Sequence, residues 1–107
     1  MSVLENDRID GIALDEENSC LRLLITDHLD WNNEYQHLMA LQEKINAYIG
    51  FCEEGQYQEI YKDADIRYAV FEIHFQNEPT DTAIAFLERV QQQLTEMGIV
   101  LECHLPE

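Results

Sequence analysis

"IRYAVFEIHFQ", residues 66–76, decides the fold. Apolar and polar side chains alternate along it. Ala69, Phe71, Ile73 and Phe75 fall on one face of a strand, and Tyr68, Val70, Glu72, His74 and Gln76 on the other. A strand covered on both faces reads as an unbroken apolar run, whereas alternation places one face on a core and leaves the other to water or a partner. The segments on either side show what the covered face packs against.

Upstream, Tyr35, Leu38, Leu41, Ile45, Tyr48, Ile49 and Cys52 recur at three- and four-residue spacing. This predicts an amphipathic helix from about Asn33 to Glu54, with Gly55 as the residue that ends it. Asp30 or Asn32 is the expected N-cap, and Glu34 suits the positive end of the helix dipole. Downstream, Asn77-Glu78-Pro79-Thr80 breaks the chain. A second helix runs to Met97, buried through Ala83, Phe86, Leu87, Val90, Leu94 and Met97, and stops at Gly98. Residues 99–105, IVLECHL, read as a strand with Ile99, Leu101, Cys103 and Leu105 inward and Val100, Glu102 and His104 outward. Residues 8–14 and 20–26 read as two further strands. They are joined as a hairpin by the polar turn Asp15–Ser19, with Leu21, Leu23 and Ile25 on one face. Residues 55–65 form a connection without a period, from which Ile60 and Tyr61 fold back onto the core. The predicted order is β-β-α-β-α-β in a single domain spanning 1–107. The fold class is α+β, a two-layer sandwich of a four-stranded sheet with both helices on one face. Right-handed crossovers constrain the strand order without defining it.

The 107 residues are 46% hydrophobic, enough for a packed core, so the high charge does not signal disorder. Acids outnumber bases 22 to 6, a formal net charge of −16. Such a chain is repelled by nucleic acid and anionic lipid, and no nucleic-acid or membrane partner is expected; it would steer a basic protein partner instead. Cys20, Cys52 and Cys103 are an odd set without a CxxC pair, and each neighbours apolar residues. They read as buried free thiols in a reducing compartment, hence a cytoplasmic protein. MSVLENDRID, residues 1–10, lacks the basic and apolar regions of a signal peptide, and no apolar run reaches membrane-spanning length.

Two groups of residues could carry chemistry. TDHLDW, residues 26–31, sets Asp27, His28 and Asp30 within four positions, closed by Trp31, with His37 following in the helix. Oxygen and imidazole donors suit a divalent metal. The competing account is structural: Asp30 caps the helix, Asp27 holds the turn, and Leu29 and Trp31 anchor the junction. The second group is the outward face of the sheet, where Arg22, Thr26 and His28 share a side with Tyr68, Glu72, His74, Glu102 and His104. Histidines and glutamates on one face could hold a metal, serve acid–base chemistry, bind a partner, or be ordinary cross-strand pairs. LQEKINAY, residues 41–48, reads as packing. No nucleophile motif, Gly-rich phosphate loop or cofactor fingerprint is present, so no catalytic residue is assigned and no cofactor is expected.

IDGIALD, LLITDHLDW and HLMALQEKINAYIGFCEEGQ together resemble a small bacterial family of unknown function, marked by its DHLDW strand–helix junction and LQEKINAY helix. The resemblance covers residues 9–56 well and continues more loosely through Tyr61, Ala64 and Arg67. It singles out Asp27, His28, Asp30 and Trp31 as distinctive and implies no activity, substrate or cofactor. Three functional readings follow. The first is a protein-binding module, immunity-like or regulatory, that takes a basic partner, with Asp27, Asp30, Trp31, Tyr57, Tyr61 and Tyr68 as candidate contacts. The second is a divalent-metal protein using Asp27, His28 and Asp30, joined by His74 or His104. The third is a homodimer that pairs open sheet faces or edge strands.

Overall fold

The computed structural model describes residues 9–55 and 57–106. The stretch 1–8, which carries most of the segment read for a leader and the first residue of the first expected strand, lies outside the described residues. Four strands are present: β1 (Gly11–Asp15), β2 (Cys20–Asp27), β3 (Tyr68–Phe75) and β4 (Ile99–His104). Three helices accompany them: α1 (Glu34–Glu53), α2 (Tyr57–Ile60) and α3 (Asp81–Thr95). The fold is α+β with the expected alternation, and α2 is a single extra turn in the connection that showed no period.

The sheet runs β1-β2-β3-β4, in chain order. β1 and β2 form the antiparallel hairpin, and β2, β3 and β4 are parallel. Parallel neighbours need a crossover, which α1 supplies from β2 to β3 and α3 from β3 to β4. The inward residues behave as the alternation predicts. Leu21, Leu23, Ile25, Phe71 and Ile73 are completely buried, in one cluster with Leu41, Ile45 and Tyr48 of α1 and Leu87 and Leu94 of α3. At roughly 1.5–3 kcal/mol for each large apolar side chain taken from water, this cluster is the main source of stability.

The helix ends follow local chemistry. Asn33, rather than Asp30 or Asn32, is the N-cap of α1, its side-chain oxygen accepting from the Gln36 amide at 3.2 Å. Asp30 instead closes the turn before it, accepting from the Asn32 amide at 3.0 Å. Thr80 caps α3 through the Ala83 amide. Gly55 and Gly98, at φ +71° and +74°, take the left-handed conformation that follows each helix.

Several apolar positions lie elsewhere than expected. Tyr35, Ile60, Met97 and Leu105 are exposed, and so is Cys103. Tyr35 sits in the first turn of α1, and Cys103 and Leu105 lie at and just past the end of β4, an edge strand of the sheet. Tyr61 does pack against the core, whereas Ile60 points to solvent.

The buried face of α1 also holds a lysine. Lys44 lies three residues from Leu41 and four from Tyr48, on the apolar stripe, and is fully buried. Its ammonium donates to Asp10 Oδ1 at 3.0 Å, with neither side chain exposed. Asp10 Oδ2 accepts from the Thr26 amide and hydroxyl. The Tyr48 hydroxyl accepts from the Asp10 amide and donates to the Leu24 carbonyl at 2.6 Å. Burial raises the Tyr48 pKa, keeping its proton in place. The network ties the approach to β1, β2 and α1 together, and no buried side-chain polar atom among the described residues lacks a partner.

Candidate functional site

TDHLDW links the end of β2 to the turn before α1. Asp27, the last residue of β2, is buried, and its Oδ1 accepts from the Leu29 amide at 3.1 Å, holding the turn. Its Oδ2 lies 2.5 Å from His37 Nε2. His37 Nδ1 faces the Asp30 carbonyl at 2.9 Å, an oxygen that only accepts, so Nδ1 carries a hydrogen and donates it there. The Trp31 ring stacks on His37 with centroids 3.6 Å apart, and its Nε1 donates to the Asn77 carbonyl. Asn77 returns a bond to the Leu29 carbonyl. Leu29 and Trp31 pack against the core as expected.

The candidate set Asp27, His28 and Asp30 is therefore dispersed. Asp27 points inward to His37, His28 is exposed, and Asp30 holds its own turn. His37 does join this stretch, but as the partner of Asp27 inside the junction. Of the aromatic contact candidates, Trp31 is committed to His37, and Tyr57 and Tyr61 are half-buried against the core. Tyr68 is also half-buried, on the outer sheet face, and its pKa is raised first by its hydrogen bond with the Cys20 side chain.

The outer face of the sheet does gather the residues expected there. Parallel pairing places Thr26, His74 and His104 in one row, Leu24, Glu72 and Glu102 in the next, and Arg22, Val70 and Val100 in a third. Arg22 is the hub. It donates to Asp15 at 3.3 Å, Glu72 at 3.1 Å and Glu102 at 3.2 Å. These hydrogen bonds raise the Arg22 pKa further. Burial would raise the Glu72 pKa, but hydrogen bonds from Arg22 and His74 outweigh it and hold the carboxyl below its usual value. His74 Nε2 lies 3.3 Å and His104 Nε2 3.7 Å from Glu72 Oε1. The two rings stack in parallel, 4.3 Å apart with planes 4° from coincident. Among the described residues, Glu72, His74 and His104 are the group whose ligand atoms converge, all within 4.8 Å of one another. His28, which the expected register added to this face, lies past the end of β2 and is absent from the group.

A third feature lies on the inner side of β4, where the sheet ends. By the parallel ladder, in which the Ala69 amide donates to Gly98 O, the backbone groups of Ile99, Leu101 and Cys103 point away from β3. Gln91 of α3 covers part of that edge. Its Oε1 accepts from the Leu101 amide at 2.6 Å and its Nε2 donates to the Ile99 carbonyl at 3.2 Å, as a neighbouring strand would. Beyond Gln91 no described residue bonds to this edge, which runs beside a groove of about 340 Å³ lined by Pro79, Ile84, Leu87, Leu101, Cys103 and Leu105, with Glu88 also at its wall. Sequence reasoning places Cys103 and Leu105 in the core and so misses the groove.

No helix among the described residues is long and apolar enough to cross a membrane. No curated protein and no solved structure matches the chain. A family model does match, over residues 1–107, and the chain belongs to that family, a family of unknown function (DUF6572).

Proposed function

We propose that this chain is a cytoplasmic protein-binding module, one α+β domain of two layers, that docks an extended basic segment of a partner along the open end of β4. The observation that carries the reading is the edge itself. Backbone groups of Leu101 and Cys103 beyond the Gln91 amide lie next to an apolar groove, which is the arrangement strand addition uses: main-chain bonds for affinity and a pocket for alternate side chains. The occupant's charge follows from the net charge of −16 and from Glu88 at the groove. A basic segment is drawn in, and a second copy of this acidic chain is held off.

The test is a titration followed by amide NMR, using a Lys–Val alternating peptide as probe and a Glu–Val peptide as its control. The expected result is saturable change at Cys103 and Leu105 and along α3 near Ile84 and Glu88, removed by Leu105→Lys. Shifts scattered over the acidic surface, or equal responses to the two peptides, would defeat the proposal. A dimer mass that Leu105→Lys abolishes would also defeat it, by assigning the edge to a second copy.

A further inference from the structure

We infer that Glu72, His74 and His104 form a binding site for a divalent first-row transition ion, with zinc as the reference ion. The site lies on the outer face of β3 and β4, so it is independent of the groove on the inner side. Two features of the sheet build it. Glu72 and His74 are two residues apart on β3 and share its outer face, and the β3–β4 register sets His104 directly beside His74. Parallel strands in this register force the two imidazoles to run alongside one another, and both Nε2 atoms end beside the same carboxylate oxygen.

The spacing fits an ion. Zinc bonds of about 2.0–2.1 Å at tetrahedral angles place ligand atoms about 3.3–3.4 Å apart. The observed separations from Glu72 Oε1 are 3.3 Å to His74 and 3.7 Å to His104. Glu102 stands outside this group, its Oε1 3.1 Å from His104 Nε2 orienting that ring. Two imidazoles with a carboxylate select a transition ion over magnesium or calcium, which favour oxygen alone.

The surroundings favour a cation and an open site. Arg22 grips Glu72 Oε2 and Glu102 Oε2, fixing both carboxylates and leaving their Oε1 atoms turned to the histidines. Asp15, Glu72 and Glu102 against Arg22 leave a formal charge of −2 (three acids minus one base), which a divalent ion cancels. The side chains of His74 and His104 are 45% and 44% exposed, so a bound ion would keep coordination positions open to water or to a donor group of a partner. Cross-strand hydrogen bonding alone would explain either histidine. It does not require both Nε2 atoms to meet on one oxygen.

The experiment is calorimetric titration of the full chain with zinc, paired with the visible spectrum on titration with cobalt. The expected result is one ion per chain and a cobalt spectrum of mixed nitrogen and oxygen ligands. His74→Ala and His104→Ala should each weaken zinc by more than about 100-fold, above the 10–100-fold typical of an outer-shell change, and Arg22→Gln should fall within that range. His28→Ala should leave affinity unchanged. All four residues are at least partly exposed, and circular dichroism of each variant verifies folding. Absence of saturable one-to-one binding, binding that survives the His74→Ala/His104→Ala double variant, or loss on His28→Ala would overturn the assignment.

Discussion

Replacing Lys44 by Met tests whether the buried ion pair holds α1 to the sheet. Lys44 and Asp10 are both without side-chain exposure, and the ammonium stands 3.0 Å from the carboxylate. Methionine fills most of the space of the lysine stem but leaves Asp10 charged in the interior, facing the Thr26 amide and hydroxyl. Breaking one side of such a pair costs about 3–5 kcal/mol, because a buried charge loses its counter-charge. A domain of this size has a total stability of about 5–15 kcal/mol, so the single variant should lose about a fifth of it or more. The double variant Asp10→Asn/Lys44→Met removes both charges, and most of the loss should return, since uncharged replacements for buried pairs are often near neutral. Urea unfolding of wild type, both singles and the double gives the coupling directly, provided the slopes agree. The reasoning fails if Lys44→Met lies within about 1 kcal/mol of wild type, or if the double variant is as unstable as the sum of the singles.

Asp27→Ala should cost about 1.5–3 kcal/mol, the range for a hydrogen bond to a charged group, and should change the emission of Trp31, which stacks on His37 and is the chain's only tryptophan. Fluorescence-monitored unfolding reads both, and an unchanged spectrum would show that the stack does not depend on the pair. Asn33→Ala should lower stability by about 1 kcal/mol through loss of the α1 cap, measured against Asn32→Ala, which should cost less. Folding holds the Asp15 carboxyl below its usual pKa value chiefly through hydrogen bonds from Asn18, and the Glu72 carboxyl below its own, against burial, chiefly through Arg22. The stability they contribute is therefore complete above the ordinary carboxylate range and disappears as pH falls through their lower folded values. The urea midpoint of Arg22→Gln should thus trail wild type at pH 7 and converge with it in acid; a gap that stays constant to the acid limit would exclude Arg22 as the cause. Iodoacetamide should label exposed Cys103 first, with buried Cys20 last and Cys52 slowed by burial that pushes its thiol up to about 11. Peptide mass mapping over time gives the order.

The outer-face constellation is legible in the sequence because strand alternation is a short-range property. Once residues 66–76 and 99–105 are strands, Glu72 and His74 must share a face, and so must Glu102 and His104. The alignment of the two strands comes from the parallel register, which alternation does not contain. The junction is half legible. Asp27 as a turn residue and Trp31 as an anchor follow from local chemistry, whereas the Asp27–His37 pair spans ten positions across a turn of unknown geometry. Lys44 is hidden because a lysine on an apolar stripe is indistinguishable from one that reaches solvent, and its partner is 34 residues away. Gln91 escapes for the same reason: its two bonds to β4 exist only once α3 lies beside that strand.

The Asp10–Lys44 pair also bears on how the chain rejects wrong pairings. β1 is short and half-exposed, with Ile12 and Leu14 to distinguish one face from the other. A slip of one residue against β2 would exchange those faces at little apolar cost. It would also move Asp10 away from Tyr48 and from the ammonium it neutralises, leaving a lysine in the interior without that carboxylate. The buried pair thus acts as a checksum on the hairpin: the short edge strand β1 is admitted in one alignment, and misaligned forms separate Lys44 from the Asp10 carboxylate.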